Sequence, residues 1–181
     1  NGGSELVVSN ESAAIAVSQV FLNTNMAAAG GVVAAIITSL VLTGKMDVTM
    51  AMNGAIAGLV SITASPSAPS AGIALLIGAA GGALVYFSIL YFDKRLKLDD
   101  PVGAISAHGI VGILGVMVVP FTSDASFIWQ AIGVISISGF SFFASLGTIL
   151  LINNFMPIRA SDEEQEVGLD LSEIGVEAYP D

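Results

Sequence analysis

Residues 71–92 read AGIALLIGAAGGALVYFSILYF, an apolar stretch that contains no charged side chain. A helix that crosses the hydrocarbon core of a bilayer needs about 20 such residues. Four further apolar stretches of comparable length lie before and after it. The sequence therefore predicts an all-α membrane protein, with a bundle of five transmembrane helices within residues 1–157. The predicted spans cover residues 13–42, 46–65, 71–92, 101–121 and 127–156.

The composition also indicates a membrane protein. Of the 181 residues, 54% are hydrophobic and only 11% are charged, whereas about 25% of the residues are charged in ordinary soluble domains. This composition excludes a disordered chain. Because the sequence contains no cysteine, disulfides and thiolate metal sites are excluded, and no motif predicts a cofactor.

The charges are concentrated at the C-terminus. The formal net charge is −10, and residues 158–181 form an acidic tail whose last twenty residues include no base. An acidic tail argues against nucleic acid or anionic lipid as a partner. With five spans, all five bases fall on one side of the membrane, which the positive-inside rule identifies as the cytoplasm. We therefore expect the N-terminus outside and the tail in the cytoplasm. The five bases are Lys45, Lys94, Arg95, Lys97 and Arg159.

Small residues recur at helical spacing. Gly54 and Gly58 are four residues apart, as are Gly78 and Gly82. Small residues at this spacing let helix backbones approach closely in lipid. We interpret these glycines as packing residues of the bundle.

His108 is the only histidine, and it lies inside the predicted fourth span. An ionisable residue within a membrane is a functional candidate. Its neighbours on the helix, which include Ala104 and Ile105, are apolar or small, so its partner comes from a ligand or from another helix. A neutral imidazole bonded to Asn23, Asn25 or Ser138 is the structural alternative. A metal site is not expected, because no second ligand lies at helical spacing. We expect His108 to have low solvent access.

Asp100 and Pro101 open the same span. A carboxylate at the N-cap followed by proline at the first helical position is a typical helix start. We expect both residues to be structural.

Three strings carry a resemblance to a known family. Residues 99–109 read DDPVGAISAHG, residues 53–60 read NGAIAGLV, and residues 21–24 read FLNT. In this order they resemble the Amt/Mep/Rh ammonium transporter family, and the resemblance extends into the tail. Members have about eleven spans built from two five-span halves of inverted topology. The chain resembles the C-terminal half, the second of these repeats, so we expect a partial sequence.

The resemblance implies ammonium uptake through a histidine-lined hydrophobic pore, not an enzyme. It implies that Ser4 recruits ammonium, that His108, Ala104 and Ile105 line the pore, and that Asn53 is structural, as are Gly54 and Gly58. It also implies a homotrimer in the plasma membrane (the cell inner membrane of a Gram-negative bacterium), with a PII-type signalling protein as a possible partner of the tail. The implied regulatory residues of the tail are Gly168, Leu169, Asp170 and Tyr179.

Two alternatives remain open. The same fold could act as an ammonium sensor or transceptor that signals through its tail. An intramembrane enzyme with His108 as base would need a nucleophile or a metal, and no such motif accompanies it. Without the other half of such a transporter, we expect His108 to line an open groove. The face that packs against that half would include Asn23, Thr24, Asn25, Asn53 and His108.

Overall fold

The computed structural model describes residues 1–177, and this part of the chain is helical apart from its connecting segments. The α-helices are α1 (Glu11–Thr43), α2 (Val48–Ile62), α3 (Ala71–Tyr91), α4 (Val111–Val118), α5 (Phe127–Phe155) and α6 (Asp162–Val167). Shorter 3₁₀ segments lie at Gly2–Glu5 and Val119–Phe121, and π-helical turns at Phe92–Leu96, Ile105–Ile110 and Asp170–Ile174.

Polar side chains fix where the first helices begin. Asn10, Asp47 and Ser70 each accept a hydrogen bond from the backbone N–H three residues ahead, at the starts of α1, α2 and α3. Such caps satisfy N–H groups that have no partner within the helix. Gly44 ends α1 with a φ of 72°, a left-handed conformation that glycine adopts readily. The helix bounds therefore lie within a few residues of the predicted spans, except in the fourth.

The fourth span starts later than predicted. Pro101 lies in a turn, and the following Gly103 has a φ of 70°, which no helix can include. Helical structure begins only after this glycine, with the π-helical turn Ile105–Ile110, which we call the histidine turn. A sequence pattern of Asp-Pro suggests a helix start but does not reveal the left-handed residue two positions later.

Three helices within residues 1–177 are long and apolar enough to cross a membrane: α1, α3 with its extension to Leu96, and α5. The protein is therefore a multi-pass membrane protein. Val48–Ile62 and Ile105–Phe121 are apolar but shorter. The count of five spans stays a prediction.

Glycine contacts bring α1, α2 and α3 together. A Cβ added to Gly78 would overlap the carbonyl of Ala27, and one added to Gly82 would overlap Gly31. On the other side of α1, a Cβ on Gly31 would overlap the carbonyl of Gly54. The backbones therefore touch where glycine permits it, as expected for helix packing in lipid. We call these three packed helices the three-helix core.

Asn23 fixes the loop between α2 and α3. Its amide Nδ2 donates to the carbonyls of Pro66 and Pro69 at 2.8 Å, and its Oδ1 accepts from Gln19 at 2.9 Å. Asn23 is fully buried, and Asn53 is also buried and donates to the carbonyl of Thr49. The expectation that Asn23 and Asn53 contribute to the face that packs against another half is wrong, because both are buried and hydrogen-bonded within this chain.

The chain divides into two compact units, Asn1–Ile135 and the part that begins at Ser136. The division falls inside α5. The boundary between membrane bundle and tail, which composition places between residues 157 and 158, stays a prediction. In the second unit, α6 begins with a capping box between Ser161 and Glu164.

Candidate functional site

The histidine turn has a buried side and an open side. Ser106 and Ala107 are buried, and Val111 at the start of α4 packs with Val85 in an apolar cluster. His108 faces the other way and is exposed. The prediction of low solvent access is therefore wrong for this chain.

His108 lines a groove with a volume of about 330 Å³. One side of the groove is formed by the end of α2 and the two residues that follow it. The other side is formed by the helical segment that follows Gly103. Its lining consists of Val60, Thr63, Ala64, His108, Gly112 and Val116. No carboxylate and no other base belongs to this lining. The imidazole is therefore the one titratable group of an otherwise nearly apolar groove.

Thr63 supplies the second polar atom of the groove. Its hydroxyl donates to the carbonyl of Leu59 at 2.7 Å. Because the proton of the hydroxyl is used in this bond, the oxygen keeps acceptor capacity for a donor in the groove. A small cation or amine in the groove would thus meet two possible acceptors, the threonine oxygen and a neutral imidazole nitrogen.

Hydrogen bonds from two directions hold the histidine turn. The carboxylate of Asp100 accepts from the N–H of Ile105 at 3.1 Å and from that of Ser106 at 3.4 Å. From α3, the hydroxyl of Ser88 donates to the hydroxyl of Ser106 at 2.9 Å. The turn is therefore tied to the preceding loop and to the three-helix core.

Gly103 connects the loop to the same core. A Cβ at this position would lie 2.9 Å from Cδ1 of Ile89 and 3.0 Å from Oδ1 of Asn53. Together with the φ of 70°, these contacts require glycine. Asn53 thus packs behind the turn that carries His108.

The other residues that the sequence nominated lie in different places. Ala104 and Ile105 are exposed but are not part of the groove lining. Ser4 lies in the 3₁₀ turn Gly2–Glu5 and is exposed. Gly54 and Gly58 lie in the three-helix core, where a Cβ on Gly58 would overlap the carbonyl of Ala27.

Sequence reasoning missed five residues of the groove lining: Val60, Thr63, Ala64, Gly112 and Val116. The signal was available for two of them, because Val60 ends the NGAIAGLV string and Thr63 follows it closely. Val116 gave no signal, since one more valine in an apolar helix is not distinctive.

The tail holds a local polar motif. The backbone N–H and the hydroxyl of Ser161 both donate to Oε2 of Glu164 at 2.7 Å. These bonds, the backbone bond first, hold the pKa of Glu164 below its ordinary value. Gly168 ends α6 with a φ of 101°, and Leu169 precedes the π-helical turn that Asp170 begins. Tyr179 lies outside the described residues. In residues 1–177, no group of three His, Asp or Glu side chains could hold a metal ion.

Comparison with known proteins adds independent information. The model of the Ammonium Transporter Family matches residues 1–179. The chain is 33% identical, over 177 residues, to a protein of Bacillus subtilis (strain 168) named ammonium transporter, covering 89% of this chain and 44% of that relative. It is 34% identical over 185 residues to ammonium transporter Amt2 of Archaeoglobus fulgidus, covering 91% of this chain and 39% of the relative. The chain thus spans less than half the length of these relatives, which are named as transporters and not as enzymes.

Solved structures show the same fold. A chain described as Sensor Amt Protein matches with a TM-score of 0.85 and 34% identity, over 96% of this chain and 44% of that one. Mep2 of Candida albicans matches with a TM-score of 0.81 and 24% identity, over 97% of this chain and 42% of that one. The helical arrangement is therefore that of Amt and Mep proteins.

Proposed function

The chain belongs to the ammonium transporter family, and from that premise we propose that it moves ammonium or ammonia across a membrane along the groove that His108 lines. The observation that carries this proposal is the isolated imidazole in a groove whose other lining side chains, apart from Thr63, are apolar. Such a groove suits a small solute that must lose its charge to cross.

The chemistry of ammonium explains this arrangement. Moving an unpaired cation out of water costs far more than moving a neutral molecule. A neutral imidazole can accept the proton, so that ammonia crosses the apolar segment and the proton is held or relayed at the ring. Groups that exchange a proton must come within hydrogen-bond distance, about 2.6–3.2 Å. An imidazole at the surface of the groove satisfies this requirement for a solute that enters it.

We propose that the chain corresponds to the C-terminal half of the transporter and that the other half closes the groove into a pore. The length of the relatives supports this reading, since the chain covers 44% of the Bacillus subtilis protein. In this assembly α2 and Ile105–Phe121 cross the membrane as the second and fourth of five spans, despite their short lengths. Ala104 and Ile105, exposed beside His108, would then face the added half.

The orientation follows from the bases. Lys45 follows α1, and Lys94 and Arg95 follow α3. Positive residues favour the cytoplasmic side, so we propose that the N-terminus and Ser4 lie outside, where ammonium is recruited, and that the tail lies in the cytoplasm. The plasma membrane, a homotrimer and a PII-type partner for the residues around Gly168 are parts of the same proposal.

Cells that lack ammonium uptake provide the test. The 181-residue chain is expressed alone and, in parallel, joined behind the N-terminal part of the Bacillus subtilis relative. We expect the joined chain to restore growth on low ammonium and the single chain to remain inactive. Full activity of the chain alone would overturn the proposal that it is one half of a pore.

His108→Ala in the joined chain tests the pore assignment. We expect it to abolish uptake or change its ion selectivity while expression stays unchanged. Thr148→Ala is the matched control, because Thr148 is an exposed polar residue of α5 outside the groove, and its hydroxyl donates to the carbonyl of Ala144 in its own helix. Unchanged uptake kinetics and selectivity in His108→Ala would contradict the assignment.

A sensor is the second candidate, and the match to a chain described as Sensor Amt Protein favours it. A sensor would bind ammonium in the same groove without sustained transport. Ammonium binding by the joined chain, lost in His108→Ala and accompanied by no uptake of labelled methylammonium, would support the sensor. Uptake would support the transporter.

A further inference from the structure

Two buried serines lie behind the histidine turn and are not part of the groove. Ser106 is fully buried, and Ser88 of α3 is buried. Their hydroxyls form a hydrogen bond of 2.9 Å between residues that are 18 positions apart in the sequence. No other side-chain hydrogen bond joins the histidine turn to α3 among residues 1–177 that the structure describes.

The position of Ser106 relative to His108 gives this bond a consequence. Residues two apart on a helical turn point in nearly opposite directions, because one turn holds about four residues. Ser106 therefore faces α3 while His108 faces the groove. The bond between Ser88 and Ser106, on the side of the turn that faces α3, therefore fixes the direction in which the side chain of His108 points.

The π-helical geometry of the histidine turn is the reason why such a bond is needed. A π-helical turn holds one residue more than the corresponding α-helical turn. If the histidine turn relaxed into α-helix, the residues within it would rotate by about 100°. Ser106 would then leave Ser88, and two buried hydroxyls would lose their partner, which is unfavourable in a buried environment. The hydroxyl bond thus disfavours the alternative register.

We propose that Ser88 and Ser106 are a positioning pair that holds the π-helical register and thereby directs the imidazole of His108 into the groove. Its importance for transport rests on the proposed function, but the effect on His108 itself does not. Asp100 supports the same register, since its carboxylate accepts from the N–H groups of Ile105 and Ser106. The serine pair differs from Asp100 in that it joins the turn to the three-helix core.

The single histidine of the chain permits a direct test. The 181-residue chain in detergent micelles is labelled with ¹⁵N-histidine, so that every labelled signal reports on His108. We expect Ser106→Ala to shift or split the backbone amide and ring signals. Ser61→Ala is the matched control, because Ser61 is also buried but bonds only to Gly58 of its own helix. Equal, unshifted spectra for both variants would overturn the positioning role.

Transport supplies a second readout in whichever form of the chain restores uptake. We expect Ser106→Ala to lower the maximal uptake rate several-fold and to change its pH profile, with little change in the half-saturating concentration. The double variant Ser88→Ala, Ser106→Ala removes both hydroxyls and leaves none without a partner. If the pair only stabilises the fold, the double variant regains normal uptake and a normal pH profile. If the pair positions His108, expression recovers but the altered profile remains. Should no form of the chain transport ammonium, the proposed function fails while the NMR result still decides the positioning role.

Discussion

The three-helix core and the histidine turn are held by different forces. In the core, glycine backbones of α1, α2 and α3 touch, and no side chain fits between Gly78 and Ala27 or between Gly31 and Gly54. The histidine turn is instead held by a carboxylate and a pair of hydroxyls, from Asp100, Ser88 and Ser106. Close contact between backbones holds the three-helix core together, whereas directional hydrogen bonds hold the turn that carries His108.

The difference between the two regions determines where a methyl group can be added. Adding one methyl, by Gly→Ala, is the same chemical change in both regions, but the surroundings decide its effect.

Gly78→Ala should break the core. The new Cβ would overlap the backbone carbonyl of Ala27, and a backbone cannot move aside as a side chain can. Overpacking typically costs about 1–3 kcal/mol, and we expect a loss of unfolding free energy at or above the upper end of that range. Thermal unfolding in detergent and the yield of folded protein are the measurements. Wild-type stability in this variant would mean that α1 and α3 do not touch here.

Gly103→Ala should have an intermediate effect. A φ of 70° costs a residue with a Cβ about 1–2 kcal/mol, and the Cβ would also press on Ile89 and Asn53. The side chain of Ile89 can rotate away, so we expect a total loss of about 1–3 kcal/mol. Because the loop precedes the histidine turn, we expect uptake by the joined chain to fall more than the amount of folded protein does. A loss of stability equal to that of Gly78→Ala would contradict the view that the three-helix core tolerates an added methyl less well than the loop before the histidine turn does.

Gly109→Ala should leave the fold intact. Nothing lies within 4 Å of a Cβ at this position, and alanine is favoured over glycine in a helix by about 0.5–1 kcal/mol. We therefore expect equal or slightly higher stability by the same thermal measurement. Destabilisation here would show that the open side of the histidine turn is covered.

Acid should weaken the capping box of the tail, which is the smallest effect. Because the pKa of Glu164 is lowered in the folded tail, the contribution of this bond is present above the ordinary carboxyl pKa of about 4.3. It is lost as the pH falls through the lowered pKa of the folded state. The titration of the Glu164 side-chain carbon by NMR checks this shift. In Ser161→Ala the titration should move back toward the ordinary value, and an unchanged titration would contradict the capping box.

The sequence predicted the scaffold better than the site. The four-residue spacing of Gly54 with Gly58 and of Gly78 with Gly82 indicates close helix contact. This pattern can be recognised in the sequence of a single helix, without knowledge of the neighbouring helices. The late start of the fourth span depends on the φ of Gly103, which the string DDPVG does not specify. The bond from Ser88 to Ser106 requires knowing how α3 packs against the histidine turn. Contacts between distant segments of this kind cannot be read from local pattern.

The exposure of His108 also could not be predicted from local sequence pattern. An apolar ring of neighbours on one helix suggests burial, but burial depends on what covers the helix. Here Ala107 is buried and His108 is exposed, although they are adjacent in the sequence. Only the packing of α2 and α3 against one side of the turn distinguishes them.

The bonds of Asn23 to the loop between α2 and α3 have a consequence for the order of folding during synthesis. Asn23 and Pro66 are 43 positions apart, and a ribosome that adds about 5–20 residues per second needs about 2–9 s to cover that distance. During this interval Gln19 is already made, but the carbonyls that accept from Nδ2 of Asn23 do not yet exist. An amide without acceptors is unfavourable in hydrocarbon, so we expect α1 to reach its final position in the bilayer only after the loop has been synthesised. Residues 11–69 are therefore expected to enter the membrane as one helical hairpin and not one helix at a time.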